Sequence, residues 1–200
     1  MRTAVVGLLF VVLVRAQTTS NRPPSPSQVM QSPVAKRWQS MIPAIQEVLK
    51  AQFPDEQPYA VGILRVSHIG DITGDGVGQA LVFFGTGGAS TNQLTLMPME
   101  DGKPVVAIFK DRAGKISPKV FVEGASVMHT DSVELLPQEH AVYSIHYNFA
   151  GLNPDGVQKV HECGGEAYQW NPHTSTFDYN RRLSERLTQD YCRKVRQTWR

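Results

Sequence analysis

Cysteine is scarce in this chain: 200 residues hold only Cys163 and Cys192. Neither sits in a motif that marks a nucleophile, so in an oxidising compartment the simplest expectation is that the two pair. Local catalytic signatures are missing too. There is no His-Glu-x-x-His, no His-x-His, no Gly-x-Ser-x-Gly and no Gly-Lys-Ser/Thr loop. Zinc hydrolase, serine hydrolase and P-loop readings therefore lack their usual anchors. Six histidines (His68, His129, His140, His146, His161 and His173) are spread along the chain, with His140 and His146 placed on one strand and one face. Net charge is also small. The 20 basic and 18 acidic residues become 18 and 18 once Arg2 and Arg15 are set aside.

Those two arginines are set aside because residues 1–16, MRTAVVGLLFVVLVRA, read as a cleavable secretory signal. Arg2 is the positive start, Ala4 to Val14 the apolar stretch, and Val14-Arg15-Ala16 the small-residue site. The apolar stretch falls short of the roughly 20 residues a membrane-spanning helix needs. No transmembrane segment is expected after cleavage, and the expected location is the periplasm or the extracellular space. Residues 17–34, rich in Pro, Ser, Thr and Gln, bury too little surface to offset their ordering entropy and read as a disordered tether.

Residues 35–200 read as one domain. Trp38, Ile42, Ile45, Leu49 and Phe53 mark one helical face, with Ser40 as the expected cap that places Pro43 in a first turn. From Tyr59 the period becomes two. Ten strands are expected: 59–66, 79–84, 92–97, 104–110, 119–123, 132–136, 141–149, 157–162, 166–170 and 176–179. The turns between them, such as Asp101-Gly102, Asp111–Gly114, Asn153–Gly156 and Asn171-Pro172, imply antiparallel pairing. Leu183, Leu187, Tyr191, Val195 and Trp199 then define a closing helix that Cys192 would staple to the sheet. The expected class is α+β, mainly β: an antiparallel sheet, sandwiched or strongly curved, flanked by an N-terminal and a C-terminal helix.

One stretch carries a chemistry. In GDITGDGVGQALV, residues 70–82, Asp71, Thr73, Asp75, the Val77 carbonyl and Gln79 fall at positions 1, 3, 5, 7 and 9 of a loop. Ca²⁺ takes six to eight oxygens from such spacing. Strand-like sequence after the loop excludes a phosphate cradle, which must open a helix. Val82 at position 12 excludes an EF-hand, which requires an acid there. The other reading is an Asx-rich turn without metal.

These 13 residues resemble the loop of FG-GAP/VCBS-type repeats, Asp-x-Asn/Thr-Gly-Asp-Gly-x-x-Asp/Glu before an apolar strand. The resemblance implies a calcium loop set in β-structure of an exported protein. A second copy fails at GLNPDGVQKV, residues 151–160, where Leu152 and Lys159 replace ligands, so a closed propeller is not expected. Gln79 departs from the pattern's ninth-position acid and should weaken binding towards about 10⁻⁴–10⁻³ M. The chain also resembles a set of exported bacterial proteins with one such loop early in a single β domain, AYQWNPHTSTFDY at 167–179 matching their closing strands.

Residues 181–200 carry +5, leaving −5 on 17–180. Arg186, Arg193, Lys194, Arg196 and Arg200 could face anionic headgroups or an envelope polymer. An acidic body on an exported chain disfavours nucleic acid. The leading expectation is a non-catalytic binding or scaffold domain of the envelope or extracellular space, with a weak Ca²⁺ loop. The alternative is a secreted hydrolase whose histidines and acids converge from separate strands.

Overall fold

The structure, a computed structural model, describes residues 32–54, 64–86, 91–125, 129–152 and 158–198. Among the described residues two short helices come first, α1 (Pro33–Ser40) and α2 (Ile42–Gln52). Ser32 caps α1, its hydroxyl accepting from Ala35 N at 3.1 Å, so the helix starts inside the stretch 17–34 expected to be a tether. Ser40 does not cap α2. Its hydroxyl donates back to Arg37 O at 2.7 Å, and Met41 takes the cap position without a side-chain bond. Pro43 does stand in the first turn, where no N–H is needed.

Strands follow in the order β1 (Arg65–Gly70), β2 (Gln79–Thr86), β3 (Thr91–Met97), β4 (Met99–Glu100), β5 (Lys103–Pro104), β6 (Ile108–Lys110), β7 (Ile116–Pro118), β8 (Phe121–Ala125), β9 (His129–Leu136), β10 (Ala141–Leu152), β11 (Gln158–Asn171) and β12 (Thr176–Tyr179). The closing helix α3 is Arg181–Thr198. Ten strands pair in one sheet, ordered β1-β2-β3-β8-β9-β10-β11-β12-β6-β7, and β4-β5 form a separate hairpin. The expected class, mainly β with flanking helices and no closed barrel, is what the fold has.

Several elements differ from expectation, each for a local reason. The first strand starts at Arg65, and residues 59–63 lie outside the described ones. The segment 104–110 divides at 105–107, where Val105 N donates to Pro98 O and Ala107 N to Leu96 O of β3 without continuing a strand. The strands expected at 157–162 and 166–170 are one, because Gly164 and Gly165 pair across to His146 and Ile145 instead of turning. His140 does not share a strand with His146. It ends the 3₁₀ turn Pro137–Glu139 in left-handed backbone (φ 49°). Pairing is also not wholly antiparallel: β12 runs parallel to β6, Phe177 against Phe109.

The sheet is apolar on both sides where helices cover it. Leu81 and Phe83 of β2 join Leu94, Phe109, Phe121, Val142, Tyr168 and Phe177 in one cluster. Their neighbours Ala80, Val82 and Phe84 face Trp38, Ile45 and Leu49 of α1 and α2. This double burial explains why 80–84 reads as an unbroken apolar run. Further along, Ala141, Tyr143, Ile145 and Ala167 meet Leu183 and Leu187 of α3. Full burial of each large apolar side chain contributes about 1.5–3 kcal/mol. Cys163 of β11 and Cys192 of α3 are disulfide-bonded across this third cluster, Cα atoms 5.9 Å apart. Among the described residues, no helix is long and apolar enough to cross a membrane.

Candidate functional site

Residues 71–78 connect β1 to β2, closing a hairpin whose last pair is Gly70 with Gln79. Ile72 plugs the connection into the first apolar cluster. Trp38 holds its far end, the indole N–H donating to Gly78 O at 2.8 Å. Between these anchors the chain turns through Gly74 (φ 78°) and Gly76 (φ 77°), values that favour glycine. The Asp71 carboxylate accepts from Gly74 N at 2.8 Å and Gly76 N at 3.0 Å. Asp75 Oδ1 accepts from Val77 N at 2.7 Å, an Asx turn.

The five residues assigned to a cation by spacing are thus brought together, and Gln79 lies at their centre with no exposed surface. Its Oε1 accepts from Ile72 N at 2.7 Å and Thr73 N at 3.2 Å. Its Nε2 donates to Val77 O at 2.6 Å and Thr73 Oγ1 at 2.8 Å, with Asp75 Oδ1 at 3.4 Å. Three would-be ligand oxygens therefore converge on an amide nitrogen. The amide oxygen is turned to two backbone N–H donors, away from the point on which those loop oxygens converge. As arranged, these residues do not fit a calcium ion. Turning the amide over would set its NH₂ against the N–H groups of Ile72 and Thr73.

A cleft of about 190 Å³ opens beside the loop, lined by Thr73, Asp75, Glu100, Val106, Trp170 and Phe177 among others. Trp170, half-buried at the end of β11, rests on the buried Phe177 ring, centroids 5.0 Å apart. It also borders a broader concavity of about 500 Å³ with Asn171, Asp178, Asn180, Arg181 and Arg182. The polar groups there are fixed. Asp178 accepts from Asn171 at 2.9 Å and Thr176 at 2.6 Å, and Asn180 donates to Gln169 at 2.8 Å. Desolvation raises the Asp178 carboxyl, but those hydrogen bonds and the Lys110 charge prevail and hold it below the usual range. In the sequence, residues 167–179 stand out only as closing strands and not as this site. The available signal was Trp170 beside Asn171 and Asp178 in one short hairpin.

The remaining candidates stay apart. His68 pairs with Ser67 at 2.6 Å on β1, His129 lies 3.6 Å from Asp131, and His140 sits over Gly74 of the loop. His146 fills the space above Gly164, His173 is in the β11–β12 turn, and the side chain of His161 lies outside the described residues. Among the described residues no three His, Cys, Asp or Glu side chains gather as a metal group. On α3, Arg186 pairs with Glu139 of the 3₁₀ turn at 2.6 Å and Arg193 pairs with Asp190. Lys194 lies 5.4 Å from the centre of the Tyr191 ring, Arg196 is exposed, and Arg200 lies outside the described residues. The basic helix therefore spends two of its five proposed contacts on carboxylates of its own chain. Compared with family profiles, curated proteins and solved structures, the chain matches none of them.

Proposed function

We propose that the chain is a non-catalytic binding or scaffold domain that works in the cell envelope or outside the cell, engaging its partner at the Trp170 cleft. The observation that carries this reading is Trp170 itself: a half-buried indole on rigid β-structure, backed by Phe177 and bordered by two concavities. Such sites bind by apolar contact with the ring, and a few fixed polar groups set orientation. Asn171, Asp178 and Asn180 supply those groups in hydrogen-bonded, preorganised positions. The Cys163–Cys192 bridge suits an oxidising compartment.

The test is retention of the purified chain on isolated envelope fractions, wild type beside Trp170→Ala. Truncating a central aromatic anchor should reduce retention about tenfold or more. Equal retention of the two proteins would remove the cleft from the proposal.

A further inference from the structure

We infer that the amide group of Gln79 is a built-in replacement for the cation, so that the loop 71–78 holds its shape without calcium. The inference does not depend on the Trp170 reading.

A cation in such a loop acts mechanically by drawing together oxygens that would otherwise repel one another. Here Nε2 of Gln79 plays that part, with Val77 O at 2.6 Å, Thr73 Oγ1 at 2.8 Å and Asp75 Oδ1 at 3.4 Å. The NH₂ group carries partial positive charge and two hydrogens, which suits two close oxygens and a third more distant one. On the other side Oε1 takes the N–H groups of Ile72 and Thr73, which a carboxylate ligand would have had to share with the metal. Asp71 is not part of this amide set; it accepts from Gly74 N and Gly76 N and shapes the backbone. The arrangement is closed. Among described residues, every buried side-chain nitrogen and oxygen has a partner.

Burial makes the substitution effective. Gln79 is fully covered, so these bonds do not compete with water, and removing the amide would strand the Ile72 N–H, itself part of a buried residue. The consequence reaches the cleft, because Thr73 and Asp75 belong to both. Their positions at its rim become independent of calcium concentration.

The test is thermal unfolding of the wild-type chain and of Gln79→Ala and Gln79→Glu, each in EGTA and in millimolar Ca²⁺. Wild type should unfold at one midpoint in both. Gln79→Ala should fall by about 5–10 °C in both. Gln79→Glu restores the acid of the calcium pattern and should be destabilised in EGTA but regain several degrees with Ca²⁺. A wild-type midpoint that rises with Ca²⁺ and loses that rise in Asp75→Ala would overturn the inference. So would Gln79→Ala unfolding at the wild-type midpoint. A second measurement needs no variant. In the ¹⁵N–¹H spectrum of the wild type, the Gln79 side-chain NH₂ should exchange slowly and stay in place on adding Ca²⁺. Fast exchange, or a shift with Ca²⁺, would overturn the inference equally.

Discussion

A β-carbon on Gly165 would fall 2.7 Å from Cζ of Tyr143 and 2.9 Å from the Ser144 carbonyl oxygen. The ring could not yield easily, because Tyr143 is fully buried between β10 and α3 and its hydroxyl meets Thr188 Oγ1 at 3.1 Å. Gly165→Ala should therefore cost about 1–3 kcal/mol in urea unfolding, as overpacking does. Tyr143 carries a second prediction. Burial pushes its phenol up to about 12, opposed by the Thr188 hydrogen bond and reinforced by Tyr147 and Glu134. The folded value lies above the unfolded value of about 10, so the folded state resists ionisation. Its contribution to stability should be intact below about pH 10 and lost as pH climbs towards 12. Tyr143→Phe should lessen that alkaline loss, measured as the unfolding midpoint against pH. Neither the glycine nor the tyrosine stands out in the sequence, because only the pairing of β10 with β11 brings them together.

At the scale of elements, a cap, a bridging serine and a disulfide add to the apolar packing of α3 on the sheet. Asn180 caps it, its side chain accepting from Leu183 N at 2.9 Å. Ser184 Oγ accepts from Ala167 N of β11 at 2.8 Å and donates to Asn180 O at 2.7 Å. The disulfide closes the third connection over a separation of 29 residues. Ser184→Ala should leave the buried Ala167 N–H without a partner and cost about 1–3 kcal/mol, read from chemical denaturation. Replacing both cysteines by alanine should cost about 3–4 kcal/mol by the loop-entropy relation, lowering the thermal midpoint. The helix and its bridge were legible from Leu183, Leu187, Tyr191 and Cys192, since a four-residue period needs no tertiary information. The role of Ser184 was not, because a serine on a helix gives no sign of which strand it meets. The loop shows the same division. Spacing identified Asp71 to Gln79 as a unit, yet the direction of the Gln79 amide depends on which backbone N–H groups the fold turns towards it.

For the whole molecule, the alternation of apolar residues was enough to place most strands and the class of fold. It could not supply the order of strands across the sheet. Short turns argued for neighbours in sequence being neighbours in space, and that holds from β8 through β12. It fails where β3 pairs with β8, and again where Phe109 of β6 lies alongside Phe177 of β12. The pairing is stabilised by stacking of the two rings, centroids 5.4 Å apart, a contact no local pattern encodes. That single junction also sets a schedule. The edge formed by β6 and β7 has no partner until Thr176–Tyr179 has been made, although its own residues emerge much earlier. A chain interrupted before that point would lose more than its last strand and helix: it would leave the Phe109 side of the sheet uncovered, a seed for association between unfinished molecules. Formation of β12 is thus the step that covers the β6–β7 edge, and substitutions at this late-closing seam should mainly speed unfolding and leave the refolding rate little changed.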